Sequence, residues 1–335
     1  MKTLIQKLVE SVGPSGFEKS VRELIRSEIE GFADEVRVDA LGNLIARKGK
    51  RAEGGLRILL SAHMDEIGLI VTHIDEKGFI RFTNIGGVYP HSCYGSRVKF
   101  VNGVEGLIGM EKLESIEKMP GLPKMFIDVG ATSRSDCPVK VGDMAVFDRP
   151  LTQFGSRLVS KAMDDRIACA IQVETLRRLK DVAGPNELYF VFSVQEEVGP
   201  RGAGPAAFGI DPDLGIAVDV TLTGDTPQGT KMEVALGKGP AIKVKDSGMI
   251  ADPRVVAAMT AAAERAGIPH QYEVLVGGTT DAIAIQVSRA GVPTGCLSVP
   301  CRYVHSPSEM VDLQDVQQSV DLLVELLSKT VKLEG

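Results

Sequence analysis

Two histidines and a set of carboxylates recur at one kind of place in this chain, each just after a short apolar run. Ile58-Leu59-Leu60-Ser61-Ala62 runs into His63 and then Asp65, and Leu188 to Val194 runs into Glu196 and Glu197. Leu214 to Val218 runs into Asp219, and the run 294–299 leads through Pro300-Cys301-Arg302-Tyr303 to His305. Asp164 and Asp165 open a helical stretch. Imidazoles mixed with carboxylates are the ligand set of zinc or a similar borderline divalent ion; calcium and magnesium favour oxygen alone. The spacing His63-x-Asp65 lets a carboxylate accept the second ring N–H of a metal-bound imidazole, so Asp65 is expected to orient His63 rather than to ligate. Five ligating groups exceed what one tetrahedral ion with an open position takes. They suit two ions about 3.5–4 Å apart, bridged by one carboxylate and one water. Neighbours in a strand face opposite ways, so Glu196 and Glu197 share a cleft only if the strand has ended, as the following Gly199-Pro200-Arg201-Gly202 turn allows. Taken singly, His63 reads as a strand-end histidine, Asp164 as a helix N-cap, Asp219 as the start of a turn and His305 as a loop residue. Their shared placement is what points to a metal.

Those residues need a sheet whose strands end together. Buried-looking strands at 58–62, 188–194, 214–218, 271–276 and 294–299 alternate with helical periods at 165–180, 253–266, 281–290 and 312–331, which predicts an α/β sheet sandwiched by helices. A hairpin is expected over 36–46, turning at Leu41-Gly42-Asn43. Ser15 and Glu18 form a capping-box pattern before a helix whose buried face is Val21, Leu24, Ile25 and Ile29. Between about 67 and 161 the texture changes to short alternating segments (69–74, 79–82, 98–101, 104–108, 125–129, 144–147) broken by Gly, Asn and Asp. That is the pattern of a small all-β barrel or sandwich. The economical organisation is one α/β domain made of 1–66 and 162–335, interrupted by an inserted β domain at 67–161. In open α/β sheets ligands bind beyond the carboxyl ends of the strands, where the candidate residues fall.

Composition narrows the function. The 335 residues carry a net charge of −6 and show no basic, aromatic-interleaved patch, which argues against a nucleic-acid partner. No apolar run approaches the length of a membrane span, and the N-terminal stretch lacks the apolar core of a signal peptide. Five cysteines without a C-x-x-C pair fit a reducing compartment, so a cytoplasmic location is expected.

The segments AHMDEIG (62–68), SKAMDDR (160–166), QEEVGPRGA (195–203), VDV (218–220), GGTTDA (277–282) and RYVHSPSE (302–309) resemble metallopeptidase family 42. That family holds dinuclear-metal aminopeptidases, among them glutamyl aminopeptidases and the large tetrahedral aminopeptidases. The resemblance covers nearly the whole chain in the family's order. It implies a zinc-peptidase-like catalytic domain and two divalent ions per chain, zinc or cobalt. Asp164 would be the bridging carboxylate, His63 and Asp219 would complete one ion's site, and Glu197 and His305 the other's. Glu196 would be the general base, with Asp65 orienting His63. It further implies peptide substrates and a homo-oligomer, a dodecamer built through the inserted domain. Asp165, Thr280 and Cys301 depart from the family's pattern, standing where Asn, Gly and Thr are expected, which bears on the shape of the substrate pocket. Arg302, Arg201 and Lys161 are the cations near the motifs that an acidic-specific pocket would use. Two competing readings are an endo-glucanase-type glycoside hydrolase, which also uses paired carboxylates, and a non-catalytic metal-binding assembly protein. The absence of Trp leaves little for a sugar-stacking groove, and a structural metal site has no use for a free Glu196.

Overall fold

Period-two alternation is clearest in the two central strands. Along Arg57–His63, Ile58, Leu60 and Ala62 face one hydrophobic layer while Leu59 faces the other; along Glu187–Ser193, Phe190 and Phe192 face the first and Val191 the second. Such strands are buried on both faces and need helices on each side. A computed structural model describes residues 1–112 and 119–333 and shows that arrangement. The large sheet runs in the order 35–38, 44–48, 187–193, 57–63, 214–221, 294–302, 309–312, 157–160, 152–154. Strands 241–245 and 271–274 attach beside 294–302. The four central strands are parallel, so their carboxyl ends open on one side. The main core packs helices Lys2–Glu10, Lys19–Ile29, Met163–Arg178, Pro253–Ala266 and Leu313–Leu327 on one face. The short helices Ala203–Ile210 and Ala282–Gln286 cover the other. Phe190 and Phe192 are fully buried in the main core, where truncation to Ala costs about 3–5 kcal/mol each.

The intervening segment forms a closed barrel of strands 68–74, 80–85, 125–128, 105–110, 97–100 and 144–147 with its own core, including Leu69, Phe82, Phe100 and Ile127. The all-β unit is thus a barrel rather than a sandwich. Strands Thr152–Phe154 and Arg157–Ser160 also fall inside 67–161. They pair with Glu309–Asp312 and extend the large sheet, so the barrel's strands end at 147.

Several local expectations shift. The helix expected over 281–290 is only Ala282–Gln286, and the strand 271–276 stops at Val274. The Ser15/Glu18 capping box does not form. Ser15 Oγ donates instead to Asp65 Oδ2 at 2.6 Å, and Glu18 Oε1 accepts from Gly16 N at 2.7 Å and Gln195 N at 3.1 Å. Both side chains found stronger partners in loops that reach the strand ends.

Candidate metal centre

The parallel strands deliver their candidates to one place. His63 is the last residue of its strand and lies level with Ser193 in the neighbouring one; Asp219 lies level with Ser298. Past Ser193 the chain bends at Gln195, whose φ is 58°, and this break in alternation brings Glu196 and Glu197 to the same cavity. Tyr303 and His305, each with φ 62°, make the corresponding bend after strand 294–302. Asp164 has φ −76° and ψ 105°, so it is not in helical conformation and its carboxylate caps nothing; it turns into the cleft, which corrects the N-cap reading.

His63, Asp164, Glu196, Glu197, Asp219 and His305 therefore line one cavity of about 460 Å³. Asp164 presents one oxygen to each imidazole: Oδ1 lies 3.0 Å from His63 Nε2 and Oδ2 lies 3.3 Å from His305 Nε2. Glu197 Oε2 is 3.2 Å from His305 Nε2, and Glu196 Oε2 is 4.0 Å from His63 Nε2. Donor atoms of His63, Asp164 and Glu197 all lie within 4.8 Å of one another, as do those of His63, Asp165 and Asp219. Asp165 was not singled out as a ligand from sequence.

The donor set fits divalent cations. Glu197 Oε1 and Asp165 Oδ1 are buried without a hydrogen-bond partner, an expensive state for a carboxylate unless a cation or a proton meets it. Without cations, protons fill the role. Burial opposes an imidazolium at His305, but Asp164 and Glu197 outweigh it and push its pKa up to about 12. Burial likewise opposes charging of His63, yet Asp164 and Asp65 raise it well above its ordinary value. Burial raises Glu196 well above the usual carboxylate range; His63 counters this, while Asp219, Asp281 and Glu197 add repulsion. Asp219 is raised well above its range too, chiefly by burial.

A layer of buried acceptors holds these groups. His63 Nδ1 donates to the backbone carbonyl of Asp65 at 3.0 Å, with the Asp65 carboxylate at 3.4 Å. A carbonyl can only accept, so Nδ1 carries a hydrogen; in the metal-free protein Nε2 holds a second proton toward Asp164, and a cation that displaced it would meet the Nε2 lone pair. The Asp65 carboxylate, besides facing the His63 ring, anchors the loop after strand 187–193: Oδ1 accepts from Glu196 N at 2.9 Å and Oδ2 from Glu197 N at 3.1 Å. Glu309, 1% exposed, accepts from Asp164 N at 2.9 Å and His305 N at 2.8 Å. Asp281 accepts from Ser61 Oγ at 2.6 Å and Ser193 Oγ at 2.5 Å beneath the site.

Two features escaped sequence reasoning. The Gly86-Gly87 turn, between barrel strands 80–85 and 97–100, lies against the centre: a Cβ at Gly87 would stand 2.3 Å from His305 Nδ1. Lys243, 1% exposed, lines the cavity and pairs with Glu273 at 3.0 Å and Asp246 at 3.5 Å. The cations noted from sequence are placed otherwise. Lys161 pairs with Glu66 at 2.7 Å, Arg302 with Asp225 at 2.7 Å, and Arg201 is exposed.

Known proteins share this architecture. The lysyl aminopeptidase of Pyrococcus furiosus is 36% identical over 97% of this chain and 96% of its own. Among solved structures, an aminopeptidase of the archaeon Desulfurococcus kamchatkensis superposes with a TM-score of 0.93 at 39% identity, covering 97% of this chain and 94% of that one. The TET1 peptidase of Pyrococcus horikoshii, described as assembling into a tetrahedron or a large octahedral shell, gives 0.87 at 34% identity, covering 97% and 98%. The model of the M42 glutamyl aminopeptidase family matches residues 42–322, and with these likenesses over nearly its full length the chain belongs to that family.

Proposed function

We propose that this chain is a metal-dependent aminopeptidase that removes N-terminal residues from peptides at a dinuclear centre of zinc-peptidase type. Asp164 would bridge two divalent ions, zinc or cobalt; His63 and Asp219 would complete one site, and Glu197 and His305 the other. The observation that carries this reading is the pose of Asp164, with one oxygen toward each imidazole. When bound, the ion pair supplies a water of lowered pKa and Lewis-acid polarisation of the scissile carbonyl.

The chain's own groups do the rest. Glu196 is the general base. Its backbone N–H is tethered to Asp65, and its carboxylate, which lines the cavity with Oε2 4.0 Å from His63 Nε2, would take a proton from the attacking water and deliver it to the leaving amine. The Asp65 carbonyl fixes the His63 tautomer, and Glu309 holds Asp164 and His305 in register. The cavity beside Asp219, whose lining includes buried Lys243 and Thr221, would receive the N-terminal side chain. Because Glu273 and Asp246 both pair with Lys243, its cationic charge is largely offset.

The shells formed by the TET1 peptidase support assembly into a homo-oligomer, in our reading a dodecamer joined through the barrel segment. The cysteines are all free thiols, which supports a cytoplasmic setting, and no helix among the described residues is long and apolar enough to cross a membrane.

The test compares leucyl, glutamyl and lysyl anilides with their N-acetylated counterparts, with and without a chelator. Hydrolysis restricted to free amines, lost with chelator and restored by zinc or cobalt, is expected. Chelator-resistant hydrolysis, or cleavage of cellulose under the same conditions, would overturn the assignment.

A further inference from the structure

A second cavity of about 480 Å³ opens beside the first and shares Tyr89, Val304 and His305 with it. His305 stands at the seam, with the Tyr89 ring 6.5 Å away, centroid to centroid. The two cavities differ in chemistry. The first is walled by carboxylates and by buried Lys243; the second has no Asp, Glu, Lys or Arg in its lining. Its walls are Tyr89, Phe154, Tyr303 and Met310, and the three aromatic rings are half-exposed at 50%, 57% and 53% respectively. Large apolar side chains left half-exposed around a concave surface, next to a reactive site, are the mark of a ligand-contacting face.

Resting on the aminopeptidase reading above, we propose that this cavity is the subsite for the side chain of the substrate's second residue, and that it selects apolar and aromatic residues there. The direction follows from the shared wall. The first residue, whose amine and carbonyl must reach Asp164, Glu197 and Asp219, belongs in the cavity those carboxylates line. Tyr89, Val304 and His305 line both cavities, so the residue that follows the scissile bond meets the aromatic shelf next. Phe154 comes from strand Thr152–Phe154, Tyr89 from the turn before helix Pro90–Cys93, and Tyr303 from the bend after strand Thr294–Arg302. A charged second residue would lose hydration on this shelf and find no Asp, Glu, Lys or Arg among the lining residues, whose titratable side chains besides tyrosine are His91 and His305.

The experiment measures kcat/KM for the peptides Xaa-Phe-Gly, Xaa-Gly-Gly and Xaa-Glu-Gly, with Xaa fixed as the best first residue. The amide Xaa-NH2 has no second side chain and reports the aminopeptidase reading by itself. Wild type is expected to favour Phe over both Gly and Glu by about tenfold or more. Phe154→Ala is expected to shrink that ratio at least several-fold, and Phe154→Leu to keep most of it. Equal rates on the three peptides, or a ratio untouched by Phe154→Ala while the amide is cleaved, would overturn the subsite and leave the aminopeptidase intact. Failure to cleave the amide at all would remove both.

Discussion

Replacing Gly87 with alanine is the most discriminating small change at the centre. Gly87 is not in the left-handed region, so alanine meets no backbone strain there, and the effect is confined to what the new methyl touches. That methyl would lie 2.3 Å from His305 Nδ1 and 2.8 Å from Cε1, where ordinary contact begins at 3.4 Å. Restoring contact therefore moves the ring by about 1 Å, several times the roughly 0.2 Å tolerance of a metal–ligand distance. The ring cannot simply slide along the cavity, because the His305 backbone N–H is held by buried Glu309. Gly87→Ala is expected to lose one of the two ions on dialysis and to drop kcat on the order of 10²-fold. Metal analysis and single-substrate kinetics read both effects. Gly209→Ala is the control: Gly209 lies in helix Ala203–Ile210 with nothing within 4 Å of the added methyl, and the change is expected to be neutral or to stabilise by about 0.5–1 kcal/mol. A Gly87→Ala protein that retains two ions and wild-type turnover would refute the reasoning, because His305 would then not be a ligand confined by that turn.

Glu196→Gln is expected to keep both ions and lower turnover by a factor on the order of 10²–10⁴; unchanged turnover would remove Glu196 from the mechanism. Glu309→Gln sets an amide N–H against the N–H of Asp164 or His305, so denaturant titration should show a loss of about 1–3 kcal/mol, with weakened metal retention. His305 in the metal-free protein holds its proton far above neutrality, with a pKa near 12. A cation must displace that proton, so binding at neutral pH should release protons, and apparent affinity should rise as pH rises. Calorimetry in buffers of different ionisation enthalpy measures the release, and pH-independent affinity would contradict it.

What the sequence disclosed and what it hid have a common physical basis. Residues that end apolar runs are local signals, so His63, Glu196, Glu197, Asp219 and His305 could be collected by reading strand ends alone, and their meeting in one cavity follows from four strands being parallel. The supporting groups are distant in sequence and bear no local mark. Glu309 serves Asp164 across 145 positions, and Ser15 serves Asp65 across 50. Ser15 and Glu18 even carried a misleading local pattern, because a capping box competes with any stronger buried acceptor or donor that the fold supplies. The boundary at 161 encloses 152–160 without picking out any strand there; strands 152–154 and 157–160 join the large sheet through Glu309–Asp312, a pairing about 150 positions away that no local pattern announces. Gly86 and Gly87 carry no local mark that sets them apart from the other glycines of the β segment, and only the nearness of His305 and Glu197 reveals why a side chain has no room.

The central claim is that one carboxylate, Asp164, joins two ions. Counting ions in the fully active chain tests it most directly. The protein stripped by chelator and titrated with zinc or cobalt should take up two equivalents per chain, and recover activity only as the second is filled. His63→Ala and His305→Ala should each retain one. Full activity with a single ion, or with none, would contradict the account.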